Sequence, residues 1–253
     1  MTVTIINADM RDALANVPDG SIDCILTDPP YGETSLAWDE WVPGWPAMVL
    51  PKLKPSGSMW VFGSFRMFWR EQSDFADWSI SHEIVWEKHN GTGLFNDRFR
   101  RVHEFAVHFY PSSAKWGDIY KAPQFTNDAT ARTVRKKGRP AQWIGATGET
   151  LYKSEDGGPR LMRSVIYARS EHGSAEHPTQ KPLAIVEPLL LYACPAGGTV
   201  LDPFAGSGTT GLLANRHGMS AVLIEGNPKF AGICRSRLDG DAPLFAGIEG
   251  AAA

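Results

Sequence analysis

The sequence predicts an α/β protein built on a mostly parallel sheet, with its ligands gathered where the strands end. Two stretches carry that prediction. Near the N-terminus, the apolar run Ile22, Cys24, Ile25 and Leu26 reads as a strand that stops at Thr27-Asp28-Pro29-Pro30-Tyr31-Gly32. Near the C-terminus, the strand Thr199–Asp202 passes through Pro203-Phe204-Ala205-Gly206-Ser207-Gly208-Thr209-Thr210-Gly211 into a helix, and another strand, Ser220–Ile224, follows. Strand, glycine turn, helix and strand are the parts of a parallel unit, and open parallel sheets bind ligands beyond the carboxyl ends of their strands.

Between these stretches the elements alternate. Residues 2–7 are β-rich and 11–17 read as a short helix, with Pro18-Asp19-Gly20 as turn chemistry. A helix is expected over 46–53, a buried strand over 58–63 and a helix over 65–75. Two strands, 83–88 and 102–110, lie close in sequence and are expected to pair antiparallel at a sheet edge. From 111 to 176 the pattern dissolves into Gly, Ser, Thr, Lys and Arg with scattered aromatics. A structureless stretch of that length inside a compact domain implies function. Order returns with an apolar helix, Leu183–Ala193, and the chain closes with helices over 212–217 and 229–238. Four segments result: 1–110, an insertion at 111–176, a second half at 177–240, and a tail at 241–253.

Composition narrows the function. A content of 43% hydrophobic and 21% charged residues over 253 residues belongs to a soluble globular chain. No apolar run approaches the ~20 residues that cross a bilayer, and Met1 to Ile6 lack the marks of a signal peptide, so a cytoplasmic protein without a membrane partner is expected. Cys24, Cys194 and Cys234 are odd in number and scattered, which points to core residues and to neither a disulfide framework nor a metal site. The net charge of −3 is unevenly placed. Residues 86–139 hold 11 Lys and Arg against 5 Asp and Glu, a balance of +6 that leaves −9 elsewhere, so one segment can face a polyanion.

The corner at Asp28 has its own chemistry. Pro29 and Pro30 fix φ and carry no N–H, so the turn is stiff and its carbonyls are free to accept from outside the chain. A carboxylate, bare carbonyls and an aromatic ring within four residues suit an exocyclic amine on a nucleobase, which offers two N–H bonds and a flat ring to stack. Such an amine is a poor nucleophile while its lone pair is delocalised; accepting both N–H bonds localises it. A plain loop turn capped by Asp28 is the competing reading of the corner alone.

The glycine segment fits G-x-G-x-x-G between a strand and a helix, with Glu225 about 20 positions on, so a nicotinamide dehydrogenase is a rival reading. Against it, Asp202 and Phe204 stand between strand and glycines, where a carboxylate repels a pyrophosphate but suits a cofactor bearing ammonium and sulfonium. Only about 40 residues follow Gly211, few for a dehydrogenase that begins with this unit. No Gly-Lys-Ser/Thr is present, which removes a P-loop.

The pairing of Asp28-Pro29-Pro30-Tyr31 with Asp202-Pro203-Phe204-Ala205-Gly206-Ser207-Gly208-Thr209-Thr210 resembles the β class of amino-group DNA methyltransferases, which act on adenine N6 or cytosine N4. His177-Pro178-Thr179-Gln180-Lys181-Pro182 is similar to that family's lead-in to the cofactor motif, and Asn7-Ala8-Asp9-Met10 to its adenine-holding element. The resemblance covers roughly 2–110 and 175–238. It implies a circularly permuted, Rossmann-like methyltransferase fold with a mostly parallel seven-stranded sheet, S-adenosylmethionine as cofactor, double-stranded DNA as substrate, and in some members a homodimer. Asp28 and Pro29 would then polarise the target amine, Pro30 hold the corner and Tyr31 stack on the extruded base. Asp202, Phe204, Ala205, Gly206, Ser207, Gly208 and Thr209 would line the methionine and ribose, with Glu225 on the ribose hydroxyls and Asn227 beside it. Asp9 and Met10 would hold the adenine, and Thr179 and Lys181 the cofactor carboxylate. Arg98, Arg100, Arg132, Arg135, Lys136, Lys137 and Arg139 would meet DNA. Asp at the first motif position implies adenine N6 over cytosine N4.

Overall fold

The computed structural model describes residues 2–92, 96–136, 150–171 and 180–241. It divides into a larger unit, 1–122 with 164–253, and a smaller one, 123–163. Strands run in chain order as β1 (Val3–Ile6), β2 (Ile22–Thr27), β3 (Leu53–Gly63), β4 (Trp78–Thr92) and β5 (Arg101–Pro111), then β6 (Phe125–Thr126), β7 (Arg132–Lys136), β8 (Thr150–Ser154) and β9 (Arg160–Leu161), then β10 (Val165–Tyr167), β11 (Thr199–Asp202) and β12 (Ser220–Ile224). The helices are α1 (Met10–Ala13), α2 (Trp45–Val49), α3 (Phe65–Arg70), α4 (Leu183–Ala193), α5 (Thr209–Arg216) and α6 (Pro228–Gly240).

In the larger unit one eight-stranded sheet runs β1-β12-β11-β2-β3-β5-β4-β10. β11 and β12, close to the C-terminus in sequence, insert between β1 and β2, all parallel. β5 is antiparallel to both β3 and β4. The carboxyl ends of β1, β12, β11, β2 and β3 therefore share one edge with the start of β5. That edge is where every candidate site residue of the sheet falls.

Alternation along the strands buries both faces. Cys24, Leu26, Trp60, Phe62, Val200, Ala221 and Leu223 pack with Ile185, Leu189 and Leu190 of α4 and Leu213 of α5. The intervening Ile25, Met59, Val61, Leu201 and Ile224 pack with Met10 and Ala13 of α1, Trp45 and Val49 of α2, and Met67 of α3. Helices on both faces of a parallel sheet explain the near-continuous apolar runs of β2 and β3.

Two sequence expectations need correction. The sheet has eight strands where seven were expected, because β10 pairs parallel with β4 and covers the hairpin that was expected to form the edge. Val85 N–H donates to Ser164 O at 2.7 Å and Trp86 Nε1–H to Ala168 O at 2.9 Å, which hold β10 there. The insertion is also shorter than 111–176. Tyr120 N–H donates to Ser56 O at 2.9 Å and Ala122 N–H to Tyr192 O at 2.8 Å, so the chain as far as 122 belongs to the larger unit. The smaller unit is not patternless: β6 pairs with β9 and β7 with β8, both antiparallel. The expected tail from 242 on lies outside the described residues.

His108, on β5, is fully buried. Its ring nitrogens meet Ser81 Oγ at 2.6 Å and Ser58 Oγ at 2.9 Å. Burial, with His82 and Lys121 nearby, pushes its pKa down to about 3. A histidine held neutral in the fold contributes stability that is present above its unfolded pKa and is lost as pH falls from about 6.5 towards 3. At pH 5 the loss is about 2 kcal/mol. Urea titrations of the wild type and His108→Gln at pH 7 and pH 5 are expected to show that slope in the wild type and its reduction in the variant.

Candidate active site

The two motifs meet at the centre of the sheet. β2 and β11 are neighbours, with Ile25 opposite Leu201. Just beyond that pair, Thr27 donates its hydroxyl to Asp202 Oδ1 at 2.8 Å, and Thr210, on α5, donates to Oδ2 at 2.8 Å. Phe204 N–H adds a third bond at 3.2 Å. Burial pushes the Asp202 carboxyl up to about 6 despite these donors. Asp28 and the glycine segment thus open into one cleft of about 1090 Å³.

Asp28, Pro29, Pro30 and Tyr31 all line the cleft. The loop that follows is fixed by Asp39, whose carboxylate accepts from the N–H groups of Tyr31, Gly32, Glu33 and Thr34 at 2.7, 2.9, 3.0 and 2.7 Å. Partial burial works to raise the Asp39 pKa, but these donors hold it below the usual carboxylate value. Arg70, at the end of α3, donates to Tyr31 O at 2.5 Å. Asp39 was missed from the sequence because its segment has little periodicity. Its signal was an acidic residue eight positions after a proline corner.

Asp28 is itself held. The Tyr31 hydroxyl donates to Oδ1 at 2.6 Å and the Lys181 ammonium pairs with Oδ2. Lys181 also stands 3.5 Å from Glu104 Oε2, and Glu104 pairs with Lys88. Burial raises the Asp28 pKa, with Lys181 opposing. Burial also works to raise Glu104, yet Lys181 and Lys88 together hold it below its ordinary value. Lys181 is raised: desolvation is outweighed by its two carboxylates, so it stays an ammonium. Lys181, expected at a cofactor carboxylate, lines the same cleft as the glycine segment and is here seated on Asp28. Glu104 and Lys88 were also missed; the clue was a charged residue on the inward face of β5, two positions before the buried Ala106.

The other wall carries the residues expected around a cofactor. Phe204, Ala205, Gly206, Ser207 and Thr209 line it with Asp202. Glu225, at the end of β12, accepts Gly206 N–H on Oε2 and Asn227 N–H on Oε1, each at 2.8 Å, and burial raises its pKa. Asn227 caps α6 by accepting from Lys229 N–H at 2.9 Å. Met10 and Asp9 also line the cleft, but the Asp9 carboxylate is engaged by Arg11 at 2.6 and 2.8 Å, which brings its pKa down to about 2. Gly208 departs from expectation. It does not line the cleft; it starts α5 with φ +76° and packs against Cys234 of α6. Thr179 lies outside the described residues.

The residues expected to meet DNA are dispersed. Arg98 and Arg100 line the cleft, Arg98 paired with Asp97 at 2.6 Å. Arg132 and Arg135 are exposed on β7 of the smaller unit, where Arg132 lies 5.8 Å from the Tyr152 ring centroid. Lys136 ends β7. Lys137 and Arg139 lie outside the described residues. Among the described residues, no helix is long and apolar enough to cross a membrane.

Comparison with known proteins places this site in a family. The family model described as DNA methylase, covering enzymes of the N6 and N4 type, matches residues 22–235. The chain belongs to the DNA methylase family. It is 28% identical over 270 residues to the type II methyltransferase M.HinfI of Haemophilus influenzae, covering 93% of this chain and 68% of that protein. Among solved structures, M1.HpyAVI in complex with SAM matches at a TM-score of 0.63 and 24% identity, over 94% of this chain and all of that one. The cytosine-N4-specific PvuII DNA methyltransferase matches at 0.65 and 15%, over 94% and 87%. At these identities the likeness shows the fold, which is that of S-adenosylmethionine-dependent DNA methyltransferases. In this methylase, both motifs lie within the matched span.

Proposed function

We propose that this methylase transfers a methyl group from S-adenosylmethionine to the N6 amine of adenine in double-stranded DNA, with the base rotated out of the duplex. The observation that carries the reading is the Thr27–Asp202 hydrogen bond, which sets the Asp28 corner beside the glycine segment across adjacent strands. The residues present fit such a donor. Asp28, Asp202 and Glu225 make the lining acidic, which favours a cation over a pyrophosphate, and Gly206 leaves the wall without a side chain at the loop. Glu225 keeps lone pairs free for ribose hydroxyls beyond the two N–H groups it accepts.

When bound, S-adenosylmethionine supplies an electrophilic methyl on a sulfonium. The chain supplies the rest. Asp28 and the Pro29 carbonyl accept the two amine N–H bonds and localise the nitrogen lone pair. The Tyr31 ring stacks on the base, offsetting an unstacking cost of a few kcal/mol. Arg98 and Arg100 bring positive charge to the mouth, where phosphates position the duplex. The smaller unit, with Arg132 and Arg135 exposed, is proposed to read sequence.

Adenine is favoured because the family resemblance links Asp at the first motif position to adenine enzymes; cytosine N4 presents the same amine and is the second reading. The test is incubation with unmethylated genomic DNA and labelled S-adenosylmethionine, then sequencing that distinguishes the two modified bases. N6-methyladenine at one recurring sequence is expected. N4-methylcytosine would replace the base assignment, and no incorporation into any DNA would overturn the function.

A further inference from the structure

Lys181 has two carboxylates within reach, and its ammonium fills only one. It pairs with Asp28 Oδ2, while Glu104 Oε2 stands 3.5 Å away. That oxygen is buried and accepts no hydrogen bond among the described residues, although Glu104 Oε1 already has Lys88. A buried acceptor left without a donor is costly, so the fold holds a second resting place for the ammonium. Both Asp28 oxygens, by contrast, already have a donor, Tyr31 on Oδ1 and Lys181 on Oδ2. A base amine that donates to Asp28 therefore competes with the ammonium at Oδ2 and weakens its hold there.

We propose that Lys181 is a two-position counterion of the base pocket, seated on Asp28 when no base is present and moving to Glu104 Oε2 when a target amine donates to Asp28. This rests on the functional reading above and deepens it. Only hydrogen bonds change; the ammonium keeps its proton. With the base in place, every carboxylate oxygen of Asp28 and Glu104 has a donor, which is not so without it. An atom lacking N–H at the amine position gives Asp28 nothing in exchange, so Lys181 stays and the pocket disfavours that base. The ammonium lies 5.7 Å from the Tyr31 ring centroid and 5.4 Å from that of Phe62, so aromatic faces flank it during the move. Lys181 and Glu104 are positioning residues here; the amine is touched by Asp28 and the Pro29 carbonyl.

The first arm needs no activity. In a crystal structure of Asp28→Asn without DNA, the Lys181 ammonium is expected at hydrogen-bond distance, about 2.8 Å, from Glu104 Oε2. An ammonium still on residue 28 or turned to solvent overturns the proposal. The second arm is kinetic. Glu104→Gln is expected to lower kcat for DNA by about tenfold or more while the cofactor Kd changes by less than about twofold. Unchanged kcat, or an equal loss of cofactor binding, counts against it.

A third variant guards against misfolding of Glu104→Gln. Asp28 is faced by Tyr31 from its own loop, Lys181 ahead of α4, Glu104 on β5 and Asp202 on β11. Lys181→Met removes the attraction that opposes its raised pKa, so the acid limb of kcat/KM is expected to move to higher pH, with Lys181→Arg restoring it. A wild-type profile in Lys181→Met overturns the proposal. Should the wild type transfer no methyl to any DNA, the functional reading fails, and the Asp28→Asn structure still decides between the two positions.

Discussion

Asp28→Ala is expected to lower kcat for methyl transfer by about 10³-fold or more while cofactor binding persists, as removal of a preorganised acceptor at a reacting centre does. The separation follows from geometry. Asp28 bonds to Tyr31 and Lys181, and neither bond passes to the glycine segment. That segment is anchored by Asp202 to Thr27 and Thr210 and by Glu225 to Gly206, all of which the variant keeps. Lys181 still has Glu104 as a counterion, so no buried charge is stranded. The fold should therefore survive with a melting temperature near that of the wild type. Isothermal titration with S-adenosylmethionine and single-turnover transfer to DNA, run on the same preparation, measure both halves. Equal kcat in wild type and variant would take Asp28 out of the reaction.

Much of this was readable in the chain because the informative residues act locally. β2, β11, β12 and α4 fall where the sequence places them, since each is a short apolar run bounded by Pro, Gly or Asp. Proline fixes its own backbone and glycine its own turn, so the Asp28 corner and the glycine segment declare themselves without tertiary information. What escaped depends on register. Glu104 meets Lys88 only because β4 and β5 pair with Trp86 opposite Glu104, and it meets Lys181 only because β5 starts where β2 ends. β10 escaped for the same reason: three residues with exposed flanks become a strand only through β4, about 80 positions away in sequence. Motif order places Lys181 near the site, but which of the chain's carboxylates pairs with its ammonium depends on that same register.

The glycine segment shows the difference between lining a cleft and making one possible. Gly208→Ala is expected to destabilise the protein by about 4 kcal/mol, from two separable causes. Gly208 has φ +76°, a conformation that costs an L-residue roughly 1–2 kcal/mol. A β-carbon there would lie 2.3 Å from Cys234 Sγ and 3.3 Å from its Cβ, an overpacking of roughly 1–3 kcal/mol. Cys234 is fully buried between α6 and the sheet, so it has nowhere to move. For a chain of this size the loss corresponds to a melting temperature lower by roughly 10 °C. Cys234→Ala separates the causes, because it removes the sulfur and leaves the backbone unchanged. The double variant should recover the packing part and keep the backbone part, so the two substitutions are non-additive by about 1–3 kcal/mol in a thermal or urea double-mutant cycle. Strict additivity would mean that α6 does not press on this turn. Since Gly208 starts α5 and the Gly206 N–H donates to Glu225 Oε2, a shifted turn would also displace that N–H from the carboxylate. Loss of S-adenosylmethionine affinity in Gly208→Ala, regained in the double variant, is the expected consequence for a residue that never reaches the cleft.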